Sequence, residues 1–116
     1  MTVRLVSQGT TSNYDDYLVI IKKWEDHLRE SPGAIRVEGY GDRDSGTVYF
    51  DEEWADGDAL MNHLGQMQES GLFDELMSLQ SIDSLFLMTP TDHPGVNALL
   101  DQFSATRMER FATSSS

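Results

Sequence analysis

Two stretches of this chain carry apolar side chains on consecutive positions: Val48-Tyr49-Phe50 and Leu85-Phe86-Leu87-Met88. A β-strand turns successive side chains to opposite faces, so a sheet built from these segments has hydrophobic groups on both of its surfaces. Helices can cover one surface. The other then needs a second subunit or a C-terminal helix folded back across it. We favour the second subunit, because an apolar sheet face is larger than a soluble monomer leaves in water.

The remaining sequence supplies the elements of such a sheet. From Thr2 to Gln8 two interleaved sets alternate, Val3, Leu5 and Ser7 against Arg4, Val6 and Gln8, which reads as a first strand. Gly9 to Asn13 breaks it. Ser12 with Asp15, or Asn13 with Asp16, then forms a capping box ahead of Tyr14, Tyr17, Leu18, Ile21, Trp24 and Leu28, whose spacing of three and four predicts a helix to about Ser31. Pro32-Gly33 stops it. Ala34 to Tyr40 and Thr47 to Trp54 are strands flanking the turn formers Gly41 to Gly46, and so predict a hairpin. After Ala55-Asp56-Gly57-Asp58, with Asp56 or Asp58 as cap, residues 57–80 read as two short helices or one kinked at Ser70-Gly71. Ile82 to Met88 is a fourth strand, and Pro94 opens a last helix bearing Val96, Leu99, Leu100, Phe103 and Met108.

The expected fold class is therefore α+β, a ferredoxin-like βαββαβ arrangement with an additional C-terminal helix. One domain over residues 1–112 and a disordered tail over 113–116 suit a chain of 116 residues.

Charge narrows the partners. Eight Lys and Arg against twenty Asp and Glu give a net charge of −12, a field that repels nucleic acids and anionic membranes. The cations are scattered, so no basic stripe offsets it. No apolar run approaches a membrane span and no leader pattern opens the chain, so a cytoplasmic protein is expected. Cysteine is absent, which removes thiolate metal sites and cysteine nucleophiles. No HxH, HExxH or HxxxH spacing occurs, and neither a phosphate-cradling glycine loop nor a GxSxG elbow is present. The expectation is no metal and no cofactor.

His63 is the residue that stands out. Leu60, Leu64 and Met67 place it on the inner half of its helix, where it is either a core histidine satisfied by hydrogen bonds or a general base or hydrogen-bond anchor in a cavity beneath the sheet. His27 and His93 carry no assigned role. Asp51-Glu52-Glu53, at the end of a strand, could supply a carboxylate pair for acid–base work, but reads better as a solvated charge run. The aromatic residues, among them Trp24, Tyr49, Trp54 and Phe73, stand mostly at positions expected to face inward, where core packing explains most of them. A subset of them can line an apolar pocket for a flat aromatic ligand.

Three segments, Val48-Tyr49-Phe50-Asp51-Glu52-Glu53-Trp54, Leu60-Met61-Asn62-His63-Leu64 and Gly71-Leu72-Phe73-Asp74-Glu75-Leu76, together resemble the antibiotic biosynthesis monooxygenase-like family of the dimeric α+β barrel superfamily. Glu53-Trp54 and His63-Leu64 fit the family's pattern, and the resemblance spans about residues 2–90. It implies a homodimer joined through the sheet faces and cofactor-independent oxygenation of a small aromatic or quinol substrate. On that resemblance His63 is the catalytic candidate, and Trp54, Tyr49, Trp24 and Phe73 are the ligand-binding candidates. The alternative is a non-catalytic homodimer that binds a small ligand or serves in stress. Relatives that degrade haem use an Asn, Trp, His triad. Here Ser7 or Gln8, His63 and Met77 stand near those places, which disfavours haem. The last helix departs from the family pattern, which often ends in a short strand.

Overall fold

A computed structural model describes residues 2–114. Its elements run β1 (Val3–Thr10), α1 (Tyr14–Arg29), β2 (Ala34–Asp42), β3 (Thr47–Trp54), α2 (Gly57–Glu69), α3 (Leu72–Leu79), β4 (Ser81–Leu87), α4 (Pro94–Gln102) and β5 (Thr106–Arg107). The sheet order is β2-β3-β1-β4-β5. Its first four strands pair antiparallel, and β5 joins parallel at the edge. This is the βαββαβ arrangement expected from the sequence, with the extra C-terminal helix in place.

The local signals act where the sequence places them. Asn13 caps α1 by accepting from the Asp16 amide, so the second of the two candidate caps is the one used. Asp56 caps α2 through the Ala59 amide. Gly71, at φ 79°, separates α2 from α3, a conformation that glycine adopts without strain.

Some boundaries move. β1 continues through Gly9 and Thr10, because a register shift between Gln8 and Gly9 lets the strand pair with Ser81 and Ile82 despite the glycine. The last helix ends at Gln102 and does not reach Met108. Ser104, at φ 51°, turns the chain, the Ala105 amide bonds back to the Leu100 carbonyl at 2.8 Å, and Thr106-Arg107 then lies beside Phe86-Leu87. The chain thus closes on a short strand, as the resembled family often does. Of the expected tail, 113 and 114 are exposed without regular structure, and 115 and 116 lie outside the described residues.

Strand register sorts the side chains into two faces. Across the inner face run Leu87, Leu5, Glu52 and Val37, then Leu85, Ser7, Phe50 and Gly39. All the helices that pack on the sheet pack here: Leu60 of α2 with Val96 and Leu100 of α4 join Val3, Leu5, Trp54 and Leu87, while Tyr17 and Trp24 of α1 with Leu72 and Leu76 of α3 join Val48 and Phe50. The C-terminal helix therefore adds to the covered side and leaves the opposite face bare. That outer face is more mixed than its apolar strands predict. Val6, Phe86, Tyr49 and Tyr40 share it with Arg4 and Arg36, which flank Asp51 at 3.1 Å each. The two arginines hold the Asp51 carboxyl below its usual range, against the opposing pull of partial burial.

Gly9 tests this packing. A Cβ there would lie 2.1 Å from the Ser81 carbonyl oxygen, so Gly9→Ala must push β4 away from β1. The variant is expected to lose about 1–3 kcal/mol in a denaturant melt, and an unchanged midpoint would contradict the register.

Candidate functional site

Between the inner face and the helices lies a cavity of about 100 Å³. Leu5, Phe50, Leu60, Met67, Phe73, Leu76 and Leu85 supply apolar wall, and α4 contributes Leu99 and Phe103. Polar side chains reach it from four positions only: Ser7, Glu52, His63 and Gln80.

His63 is 2 % exposed and both of its ring nitrogens are engaged. The Trp24 indole N–H donates to Nε2 at 2.8 Å, and Nδ1 lies 2.9 Å from Ser31 Oγ. Ser31 spends its own proton on the His27 carbonyl at 2.7 Å, so Nδ1 must be the donor in that pair. The ring is thereby fixed as the neutral Nδ1–H tautomer. A directed chain results, Trp24 to His63 to Ser31 to the His27 carbonyl, tying α2 to both ends of the last turns of α1. Burial, and secondarily the nearby His27, push the imidazole down to about 4. Trp54 packs on its ring with centroids 4.8 Å apart.

Glu52 is the residue that sequence reading misplaced. It is not part of a solvated charge run: β3 presents Val48, Phe50, Glu52 and Trp54 to the inside and Tyr49, Asp51 and Glu53 to the outside. On the sheet Glu52 lies between Leu5 and Val37. One hydrogen bond reaches it, from the Trp54 indole N–H to Oε1 at 3.1 Å. Desolvation lifts its carboxyl to about 7, with the Trp54 bond opposing and the Asp51 charge adding a little. The period-two rule applied strictly to residues 48–54 would have found it, since Phe50 and Trp54 flank it on the same face.

Of the ligand-binding candidates, Trp24 and Phe73 line the cavity. Trp54 is wholly buried behind His63 and reaches the cavity through its bond to Glu52. Tyr49 is on the outer face, 39 % exposed and outside the site. Gln80, which sequence reading did not single out, has its Oε1 buried without a hydrogen-bond partner. His93 proves structural: its Nδ1 accepts from the Gly95 and Val96 amides and caps α4, while Nε2 lies 2.7 Å from Asp58.

The site is thus a largely apolar chamber with one carboxyl that titrates near neutrality, one neutral imidazole whose lone pair is occupied, and one unsatisfied amide oxygen. Comparison with protein-family models and with curated proteins finds no match. Solved structures do match. MupZ from Pseudomonas fluorescens superposes with a TM-score of 0.82 at 16% identity, covering 99% of this chain and 94% of that one. SnoaB, a cofactor-independent oxygenase from Streptomyces nogalater, gives 0.66 at 19% identity over 80% of this chain and 96% of its own. A structure described as an antibiotic biosynthesis monooxygenase gives 0.64 at 22% identity, over 78% and 99%. The chain therefore has the fold of antibiotic biosynthesis monooxygenase-like proteins, as the resemblance implies. The MupZ match, at 99% of the chain, extends over α4 and β5.

Glu52 and His63 pull stability in opposite directions with pH. The raised carboxyl lets the folded state hold a proton that the unfolded chain has lost, so its contribution fades as pH rises from about 4.5 to 7. The depressed imidazole is neutral in the fold while the unfolded chain takes up a proton, so its contribution fades as pH falls from about 6.5 to 4. Relative to wild type, Glu52→Gln should therefore gain about 2 kcal/mol between pH 5 and pH 8, discounted for partial solvent access. His63→Phe should gain about 3 kcal/mol between pH 7 and pH 4. Denaturant melts across that range measure both, and parallel pH profiles for wild type and either variant would refute the assignment.

Proposed function

We propose that this protein is a cofactor-independent enzyme that oxygenates a small hydroxylated aromatic, of phenol or quinol type, in the cavity beneath the sheet. The observation that carries the reading is Glu52: a carboxyl on the core face of a central strand, opening into an apolar chamber and ionising near pH 7. Such a group is matched to moving a proton at neutral pH. Likeness of fold to a cofactor-independent oxygenase is consistent with this chemistry, although fold by itself does not carry it.

The Glu52 carboxylate removes the phenolic proton, leaving an electron-rich phenolate among aromatic walls. The ring carbon para to that oxygen gives electrons to O2 and forms the new C–O bond. Glu52 returns its proton to the resulting peroxide, the O–O bond breaks, and the hydrogen on the attacked carbon leaves as a proton to complete the departing water, which leaves the quinone. One oxygen atom enters the product and the other leaves as water, and the substrate supplies every electron. His63 acts as the hydrogen-bond anchor that fixes the Trp24 wall, because its Nε2 already accepts the indole N–H. Trp54 orients the carboxylate through its bond to Oε1.

Oxygen uptake with a panel of phenols and naphthols whose para carbon carries hydrogen is the test, with hydroquinones, whose para carbon already carries oxygen, as the comparison. Turnover should rise through about pH 7 as Glu52 ionises and then level off. Glu52→Gln should lower kcat by 10²-fold or more, on the scale of a lost acid–base group. His63→Ala should lower activity through displacement of Trp24 while the pH midpoint stays near 7. Absence of uptake across the panel, or an undiminished Glu52→Gln, would reject the oxygenase reading.

A second reading, a non-catalytic homodimer that holds a small apolar ligand, draws on the size of the chamber. About 100 Å³ is less than the roughly 150 Å³ in which a dry cavity accepts benzene. Under either reading an aromatic guest therefore requires Met67, Met77 or Phe103 to repack, which methionine side chains permit. Native mass spectrometry showing bound ligand without turnover would favour this alternative.

Both readings share a proposed homodimer joined through the outer face of the sheet, where Val6, Phe86, Tyr49 and Tyr40 are left without a covering helix. Sedimentation at micromolar concentration should show two copies, and Phe86→Glu should shift the equilibrium to single chains. A wild-type protein that sediments as one chain would reject the interface.

A further inference from the structure

Resting on the site just described, we propose that Gln80 is the second recognition group of this cavity. The ligand class it selects is an elongated apolar molecule with hydroxyl donors at both ends, one received by Glu52 and the other by the Gln80 amide oxygen.

The geometry is set by β1. Glu52 stands opposite Leu5, whereas Gln80 immediately precedes Ser81, the partner of Thr10. Five residues of strand separate those positions, roughly 16 Å at the backbone. Both side chains nevertheless line one cavity, with Ser7 between them on the same face. The polar groups therefore mark two ends of a chamber whose middle is Phe50 and Leu85 apart from the Ser7 hydroxyl between them.

Each end has one acceptor atom without a donor among the described residues. Gln80 Oε1 is buried and unpaired, a state that costs desolvation without return unless something supplies a hydrogen bond. Glu52 receives the Trp54 indole on Oε1, and Oε2 has no donor among the described residues. His63 cannot complete either group, since Nδ1–H is committed to Ser31 and Nε2 is itself an acceptor here. A ligand with one hydroxyl satisfies one end and strands the other. With the Gln80 amide oxygen facing the cavity as it does here, an ether or carbonyl at the far end sets acceptor against acceptor and forces the amide to turn over. A molecule that donates at both ends answers both groups as they stand, and a site built to bond a hydroxyl rejects the analogue lacking it more strongly than a site built on shape alone.

Three probes test this: a naphthalene diol with its hydroxyls at opposite ends, the naphthol that lacks one of them, and the naphthol whose second hydroxyl is methylated. Dissociation constants from tryptophan fluorescence quenching should favour the diol by about tenfold over either of the others. Gln80→Met keeps the volume and removes the acceptor, so it should bring the diol and the mono-naphthol to within about twofold. Thermal melting of the variant checks that its fold is intact. Equal affinities in wild type, tightest binding of the methylated probe, or an unchanged diol preference in a folded Gln80→Met would overturn the inference, as would no binding of any probe. Oxygen uptake that depends on Glu52 stands whatever the probe order, and a diol preference without uptake would retain the recognition while removing the oxygenase chemistry.

Discussion

An antiparallel sheet covered on one side admits every second side chain of each strand to the core and leaves its neighbours outside. In this protein that alternation decides the site. β3 carries three acidic residues in succession, and the pleat sends Asp51 and Glu53 outward while turning Glu52 inward between Leu5 and Val37. Asp51 then meets Arg4 and Arg36 and stays easily ionised. Glu52 meets hydrocarbon and a single indole N–H, and its ionisation moves toward neutrality. Adjacent carboxyls on one strand acquire opposite character from nothing more than which way each points.

The helices complete the chamber through polar contacts as well as hydrophobic ones. The chain from Trp24 through His63 and Ser31 to the His27 carbonyl satisfies every polar atom of a fully buried imidazole, which is what makes a histidine tolerable in the core. It also fixes the indole that walls the cavity, standing edge-on to Phe50 with centroids 4.8 Å apart. A buried histidine is therefore ambiguous by type alone. Here both ring nitrogens are taken by hydrogen bonds, and in the proposed reading the group that exchanges a proton is the carboxyl of Glu52.

The outer face follows a different logic. With every sheet-packing helix on the inner side, Tyr40, Tyr49, Val6 and Phe86 are left among an arginine and carboxylate network. The mixture is more polar than strands apolar on both sides imply, because Arg4, Arg36, Asp51 and Glu53 alternate with the hydrophobic residues on that face. Such a patch fits an interface that is both apolar and electrostatically specific.

Much of the architecture was legible in order and spacing. The periodic stripe of α1, the hairpin of β2 and β3, the break at Ser70-Gly71 and the cap at Asp56 are local events, decided by neighbours a few residues apart, and the structure places them where the sequence does. His63 was identifiable as an inward residue for the same reason. Gly9 inside a strand, the early end of α4 and the two-residue β5 depend on pairing with distant segments, so no local signal marked them. Tyr49 and Glu52 exchanged their expected places because composition described their segment as aromatic and charged, whereas a side chain's face depends on the register of the whole sheet. Sequence alone determined the main strands and helices and that His63 lies on the inner half of its helix. Only the tertiary structure decided that this histidine is already satisfied and that Glu52 and Gln80 share one cavity, because hydrogen-bond saturation and desolvation are properties of groups brought together from remote parts of the chain.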